Sequence, residues 1–169
     1  GNVPLLVFNK NGDLINSWGN EDPFGEIKVE ALRIDYKLQT WAGSKFTRPH
    51  SILLDHEDNI WCVDDSGHKI SKFNQSLELL LTLGDGNPSE RESGYPFNRP
   101  TDITINKTNG DIFISDGYGN SRIHHYDSEG KHIKSWGESG TQPGQFSLPH
   151  NLCMISADEL IVCDRENHR

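Results

Sequence analysis

The stretch from Phe97 to Gly137, FNRPTDITINKTNGDIFISDGYGNSRIHHYDSEGKHIKSWG, decides the fold. It contains short runs of β-type residues that are separated by clusters of Gly, Asn, Asp and Ser. Those clusters require the chain to reverse direction repeatedly within about 40 residues. The pattern therefore predicts a four-stranded antiparallel meander with strands at Thr101–Ile105, Ile112–Ser115, Arg122–Tyr126 and His132–Trp136.

The same order of motifs recurs on both sides of this stretch. An upstream copy begins at Phe46 with FTRPHSILLD, and a downstream copy begins at Phe146 with FSLPHNLCMI. A lone meander buries only one face of its sheet, whereas radially packed neighbours bury both faces. The repeat therefore predicts an all-β fold, a β-propeller built from four-stranded blades.

The strands add up to about three blades, whereas closed propellers usually carry four to eight. We therefore expect a fragment of a propeller, with the missing blades supplied by further sequence. In chain order, the sequence predicts the outer half of a blade at 1–19, an insertion at 20–45, a blade at 46–84, a loop at 85–96, a blade at 97–137 and the first half of a blade at 146–169.

The charge balance and the hydropathy pattern exclude some classes of partner. The chain has 16 basic and 25 acidic residues and a net charge of −9. Nucleic-acid binding depends on a basic face, so we expect no nucleic-acid partner. No stretch reaches the ~18 to 20 consecutive apolar residues of a membrane span, so we expect no such span.

Two histidines occupy one position of the repeat. His50 and His150 each follow a proline at the start of a blade's first strand, and Thr101 holds that position in the copy between them. In a propeller the first strands line the central channel, so these imidazoles are predicted to face each other. The pair is a candidate for half of a zinc site, and the alternative is that each ring only forms hydrogen bonds within the channel.

The loops after the second strands reach the same mouth of the channel. There the repeat is broken by Tyr118 and Arg165, which makes them candidates for a general base and for a group that binds a carboxylate. The alternative is that both are ordinary surface residues. The repeated aspartates Asp64, Asp116 and Asp164 are predicted to cap turns by accepting backbone N–H bonds. The other six histidines, of which His124 is one, are predicted to lie at the surface.

Several motifs together carry a resemblance to a known family. They are PHS at Pro49–Ser51, PTD at Pro100–Asp102, SDGYGNSRI at Ser115–Ile123, SWGE at Ser135–Glu138, PGQFSLPH at Pro143–His150 and DREN at Asp164–Asn167. The Asn120-Ser121-Arg122-Ile123 start of a third strand resembles the NHL repeat. The whole set is similar to the peptidyl-α-hydroxyglycine α-amidating lyases, the lyase half of the peptide-amidating enzyme.

This resemblance implies a six-bladed propeller that holds zinc through three histidines on alternate blades. Its members split peptidyl-α-hydroxyglycine into a peptide amide and glyoxylate. By resemblance, His50 and His150 correspond to two zinc ligands, with the third expected beyond this chain. Tyr118 corresponds to the base that takes the substrate hydroxyl proton, and Arg165 to an arginine that orients or neutralises substrate oxygens.

The resemblance also implies a structural calcium ion, partly bound by the backbone carbonyl of Ile52, and it favours a secreted or extracytoplasmic location. The expected partner is a peptide or small-molecule substrate. The alternative function is that of a non-catalytic NHL-repeat propeller that binds a protein or small ligand at its mouth.

Overall fold

The structure is a computed structural model that describes residues 5–18, 46–91 and 95–169. The chain divides into two compact units, Gly1–Arg48 and Pro49–Arg169. In the first unit, the strands β1 (Leu5–Phe8) and β2 (Leu14–Trp18) pair as an antiparallel hairpin. The predicted insertion at 20–45 lies outside the described residues.

The second unit contains the repeated blades. Its strands are β3 (Pro49–Leu54), β4 (Ile60–Asp64), β5 (Lys69–Phe73), β6 (Leu79–Leu83), β7 (Asp102–Ile105), β8 (Ile112–Asp116), β9 (Arg122–Tyr126), β10 (His132–Trp136), β11 (Pro149–Met154) and β12 (Leu160–Asp164).

These strands form antiparallel meanders in chain order. The sheets are β3-β4-β5-β6, β7-β8-β9-β10 and the pair β11-β12, each strand hydrogen-bonded to the next. A single turn of 3-10 helix, Arg165–Asn167, follows β12. The all-β fold of four-stranded blades predicted from the repeat is confirmed.

The core lies where the first full blade packs against the second. Ile70 and Val63 from one blade and Ile112 and Ile114 from the other are completely buried, as is Phe97 on the segment between the blades. Full burial of such a side chain stabilises the fold by about 1.5–3 kcal/mol. The β-branched residues of the second and third strands therefore supply the faces that hold adjacent blades together.

Steric constraints explain why glycine follows the fourth strand of both full blades. Gly84 and Gly137 adopt φ angles of 86° and 97°, which L side chains rarely adopt. A Cβ at Gly84 would overlap the backbone carbonyl of His68 and the ring of Phe97. At Gly137 it would overlap the carbonyl of Ser121 and the ring of Phe146. In both blades, therefore, the Gly after the fourth strand packs against the Phe that begins the next copy of the repeat.

The prediction that the repeated aspartates accept backbone N–H bonds is confirmed, and the prediction that they cap turns holds for Asp64. The carboxylate of Asp64 accepts the N–H of Gly67 at 2.9 Å, which caps its own turn. Asp116 accepts the N–H of Asn98 at 2.9 Å, and Asp164 accepts the N–H of Ser147 at 2.9 Å. The last two carboxylates thereby tie the end of the second strand to the segment that enters the blade.

The prediction that His124 lies at the surface is wrong. Its side chain is completely buried in β9, because its Nε2 lies 3.2 Å from the buried carboxylate of Asp116 and its Nδ1 lies 2.7 Å from Oγ of Ser135. These partners satisfy both ring nitrogens away from water. In the part of the chain that the structure describes, no helix has the length or apolar character needed to cross a membrane.

Candidate active site

Three first strands lie side by side and bring one end of each together. β7 packs between β3 and β11, and Thr101, just before β7, is completely buried. Its hydroxyl donates to the carbonyl of Pro149 at 2.9 Å, and its own carbonyl lies 2.7 Å from Nδ1 of His50. Thr101 therefore ties the strands that carry His50 and His150 to the strand between them.

The structure brings His50, His150 and Tyr118 into one cluster. The two imidazole centroids are 5.1 Å apart. The phenol oxygen of Tyr118 lies 3.0 Å from Nε2 of His50 and 3.1 Å from Nε2 of His150. The predicted convergence of the two histidines is confirmed, and the loop after β8 places Tyr118 between them.

The neighbours of the two rings fix their tautomers. Nδ1 of His50 faces a backbone carbonyl, which only accepts, so this nitrogen carries the proton. Nδ1 of His150 lies 2.7 Å from the side-chain oxygen of Asn151, which also only accepts. Both Nε2 atoms are therefore unprotonated in the neutral rings, and their lone pairs point at the same oxygen.

Asp102 fixes the orientation of Asn151. The Asn151 amide nitrogen donates to the Asp102 carboxylate at 3.2 Å, so the amide oxygen is the atom that faces His150. The same carboxylate accepts the hydroxyl of Ser51 and, at 3.2 Å, the N–H of Leu152. Asp102 thus joins all three first strands and acts on His150 through Asn151.

Arg165 lies beside the cluster. Its guanidinium carbon is 5.8 Å from the centroid of the Tyr118 ring, and its Nε donates to Glu166 at 2.9 Å. The bond to Glu166 raises the pKa of Arg165, and the nearby Tyr118 acts in the same direction. Arg165 therefore keeps its positive charge beside the ring of Tyr118.

Sequence reasoning missed a second arginine. The guanidinium carbon of Arg99 is 4.6 Å from the centroid of the Tyr118 ring, closer than that of Arg165. Arg48 holds the same place in the preceding copy of the repeat and Leu148 in the following one, so Arg99 reads as part of the repeat. The change to Leu148 was the only signal in the sequence that could have found it.

Ile52, whose backbone carbonyl is the predicted calcium ligand, belongs to the first strand of the first full blade. It is paired with Cys62 of β4, and the residue is 53% exposed. Among the described residues, no group of three or more His, Cys, Asp or Glu side chains is arranged to hold a metal ion. Calcium at the Ile52 carbonyl therefore stays a prediction.

Comparison with known families identifies the repeat. The family described as the NHL repeat matches residues 97–126 and 146–169, which include Tyr118, His150 and Arg165. The chain contains NHL repeats. The matched ranges cover the first three strands of the blade that supplies the tyrosine and the half-blade that supplies the second histidine.

The NHL-repeat chain is also similar to curated amidating enzymes. It is 37% identical over 139 residues to peptidylglycine alpha-amidating monooxygenase of Rattus norvegicus, covering 78% of this chain and 14% of that protein. It is 36% identical over 202 residues to peptidyl-alpha-hydroxyglycine alpha-amidating lyase 1 of Drosophila melanogaster, covering 100% of this chain and 37% of that protein. The chain thus spans well under half the length of either relative.

Solved structures agree on the fold. The NHL-repeat chain superposes on virginiamycin B lyase from Staphylococcus aureus with a TM-score of 0.60 at 16% identity, covering 97% of this chain and 43% of that one. At this identity the likeness concerns the arrangement of strands alone. The propeller architecture is therefore supported by the repeat, by the sheets and by this comparison.

Proposed function

We propose that this chain carries active-site residues of a zinc-dependent lyase that converts peptidyl-α-hydroxyglycine into a peptide amide and glyoxylate. The observation that carries the proposal is the convergence of the His50 and His150 Nε2 atoms on the phenol oxygen of Tyr118. The similarity to amidating lyases supplies the reaction class.

The donor set suits a cation. Two unprotonated nitrogens face one phenol, and that phenol has only one proton to donate. One Nε2 lone pair therefore lies about 3 Å from an oxygen with no hydrogen between them. A metal ion held by both nitrogens removes this conflict, and neutral imidazole Nε2 is a preferred ligand of Zn²⁺.

The surroundings of the two rings also match those of metal ligands. Ligating histidines usually donate their other ring N–H to a carbonyl or a carboxylate, which fixes the ring and raises its basicity. The carbonyl of Thr101 accepts this N–H from His50. The side-chain oxygen of Asn151, whose amide is held by Asp102, accepts it from His150. When bound, zinc supplies a Lewis acid that makes the substrate hydroxyl easier to deprotonate.

Tyr118 is the proposed base. Tyr118 acts as a phenolate, after its own proton has passed to solvent. The phenolate oxygen takes the proton of the α-hydroxyl group, and the O–H electron pair forms the C=O bond of glyoxylate. The C–N bond breaks, its electron pair stays on the amide nitrogen, and that nitrogen takes up the proton carried by Tyr118. Arg165 favours this exchange because its guanidinium stabilises negative charge on the phenol oxygen.

Glyoxylate release from an N-acyl-α-hydroxyglycine tests this proposal in the intact, zinc-loaded protein. Tyr118→Phe is expected to lower kcat roughly 10²- to 10⁴-fold, the usual contribution of a general base. His150→Ala is expected to lower both activity and bound zinc, whereas His56→Ala, an exposed histidine in the turn after β3, leaves both unchanged.

The outcomes separate the two functions. Glyoxylate release that depends on Tyr118 and His150 supports the lyase. Absence of glyoxylate and of bound zinc in the unmodified protein overturns it and favours a non-catalytic propeller that binds a ligand at the same mouth.

A further inference from the structure

Arg99 is held in an unusual backbone conformation next to the candidate active site. Its φ angle is 66°, in the left-handed region that non-glycine residues seldom occupy. Its N–H donates to Nδ1 of His68 at 3.1 Å, and its carbonyl accepts the N–H of Tyr118 at 3.4 Å. The backbone of Arg99 therefore links a loop of the preceding blade to the loop that carries Tyr118.

Among the residues that the structure describes, the side chain of Arg99 is anchored through one of its three nitrogens. Its Nη2 lies 3.3 Å from the carboxylate of Asp65, whose side chain is completely buried, while the Arg99 side chain is 38% exposed. Among the described residues, Nε and Nη1 have no hydrogen-bond acceptor. The anchored guanidinium thus keeps N–H donors available to a ligand at the mouth.

The two arginines beside Tyr118 differ in which of their N–H donors already have an acceptor. The Nε of Arg165 donates to Glu166, and its guanidinium carbon lies 5.8 Å from the centroid of the Tyr118 ring. The guanidinium carbon of Arg99 lies closer, 4.6 Å from the same centroid, and its Nε and Nη1 have no acceptor among the described residues. A planar guanidinium with open N–H groups matches a carboxylate, which it binds through charge-assisted hydrogen bonds.

We propose that Arg99 binds the α-carboxylate of the substrate and thereby selects acidic α-hydroxyglycine substrates over neutral analogues. This inference rests on the proposed function. Arg99 is a substrate-binding residue on this account, while Tyr118 and Arg165 act on the hydroxyl group that loses its proton. The substrate carboxylate then lies beside the ring of Tyr118, and the substrate hydroxyl lies at the Tyr118 oxygen.

The experiment compares two substrates on the intact, zinc-loaded protein, N-benzoyl-α-hydroxyglycine and its carboxamide, both of which release benzamide. Arg99→Gln is expected to lower kcat/KM for the carboxylate roughly 10- to 100-fold, mainly through KM, because a charge-assisted contact is lost. It should leave kcat/KM for the carboxamide unchanged. Arg99→Lys keeps the charge without the planar fork, so an intermediate loss is expected.

The controls keep the two proposals distinguishable. Bound zinc should be unchanged in Arg99→Gln, and Lys131→Gln, an exposed change in the turn before β10, should affect neither substrate. An equal loss on both substrates, or no loss on either, overturns the role of Arg99 while the lyase proposal stands. Failure of the unmodified protein to release benzamide from either substrate overturns both.

Discussion

Nδ1 of His150 lies 2.7 Å from the side-chain oxygen of Asn151, and this contact decides which ring nitrogen faces Tyr118. Removing the acceptor frees the ring to rotate or to change tautomer. Asn151→Leu, similar in size but without polar atoms, is therefore expected to weaken zinc binding about 10- to 100-fold. Competition with a metal chelator measures this affinity.

Asn11→Leu is the matched control for that change, because Asn11 is exposed in the turn between β1 and β2. Zinc affinity in this control should equal that of the unmodified protein. Equal affinities in all three proteins would remove the assigned role of Asn151.

Asp102 accepts from three donors on two neighbouring strands. In Asp102→Asn an amide nitrogen replaces one acceptor and faces at least one of those donors. We expect a loss of about 1–3 kcal/mol in the free energy of unfolding, together with weaker zinc binding. Urea denaturation measures the first quantity, with the exposed Asp158→Asn as the control. Unchanged stability would show that Asp102 does not join the strands.

The three cysteines should differ in reactivity. Burial, and then the charge of Asp64, raises the pKa of Cys62 to about 12, whereas Cys153 and Cys163 are exposed. At pH 8 only about 1 in 10⁴ of Cys62 is then thiolate, the reactive form. Iodoacetamide followed by peptide mapping should label Cys153 and Cys163 in the folded protein and Cys62 only after unfolding. Early labelling of Cys62 would contradict its burial.

Acidification should destabilise the blade that contains His132. Burial, and then the nearby charge of His124, lowers the pKa of His132 in the folded state. The unfolded state therefore binds a proton first as the pH falls through about 6.5, and the free energy of unfolding decreases below that pH. His132→Gln should flatten the dependence between pH 7 and pH 5 in urea denaturation. An unchanged slope would assign the effect to other groups.

Most of the fold could be predicted because the same order of strand and turn motifs occurs in each copy of the repeat. The turn clusters located β7 to β10 to within a residue, since each strand ends where Gly, Asn or Asp reverses the chain. His50, His150 and Tyr118 were found from their places in the repeat, because equivalent strand starts converge at one mouth. The period of the repeat and the geometry of a propeller are enough to bring these three residues together.

The supporting residues could not be predicted for a physical reason. Arg99 lies beside the ring of Tyr118 with its backbone in the left-handed region, and an arginine in the sequence does not indicate that conformation. Asn151 acts through the direction of its amide, which depends on Asp102 of a different strand. His124 is buried by partners on neighbouring segments. The contact of Asn151 with Asp102 crosses between blades, whereas those of Arg99 and His124 lie within one blade. The alternation of strands and turns specifies none of these side-chain directions.

The central claim is that His50 and His150 hold one metal ion through their Nε2 atoms. Anomalous diffraction at the zinc edge, from crystals of the intact protein grown with zinc, tests it most directly. The account predicts a peak within about 2.1 Å of both Nε2 atoms. A map with no peak between the two imidazoles would contradict the claim, whether zinc is bound elsewhere in the protein or is not bound at all.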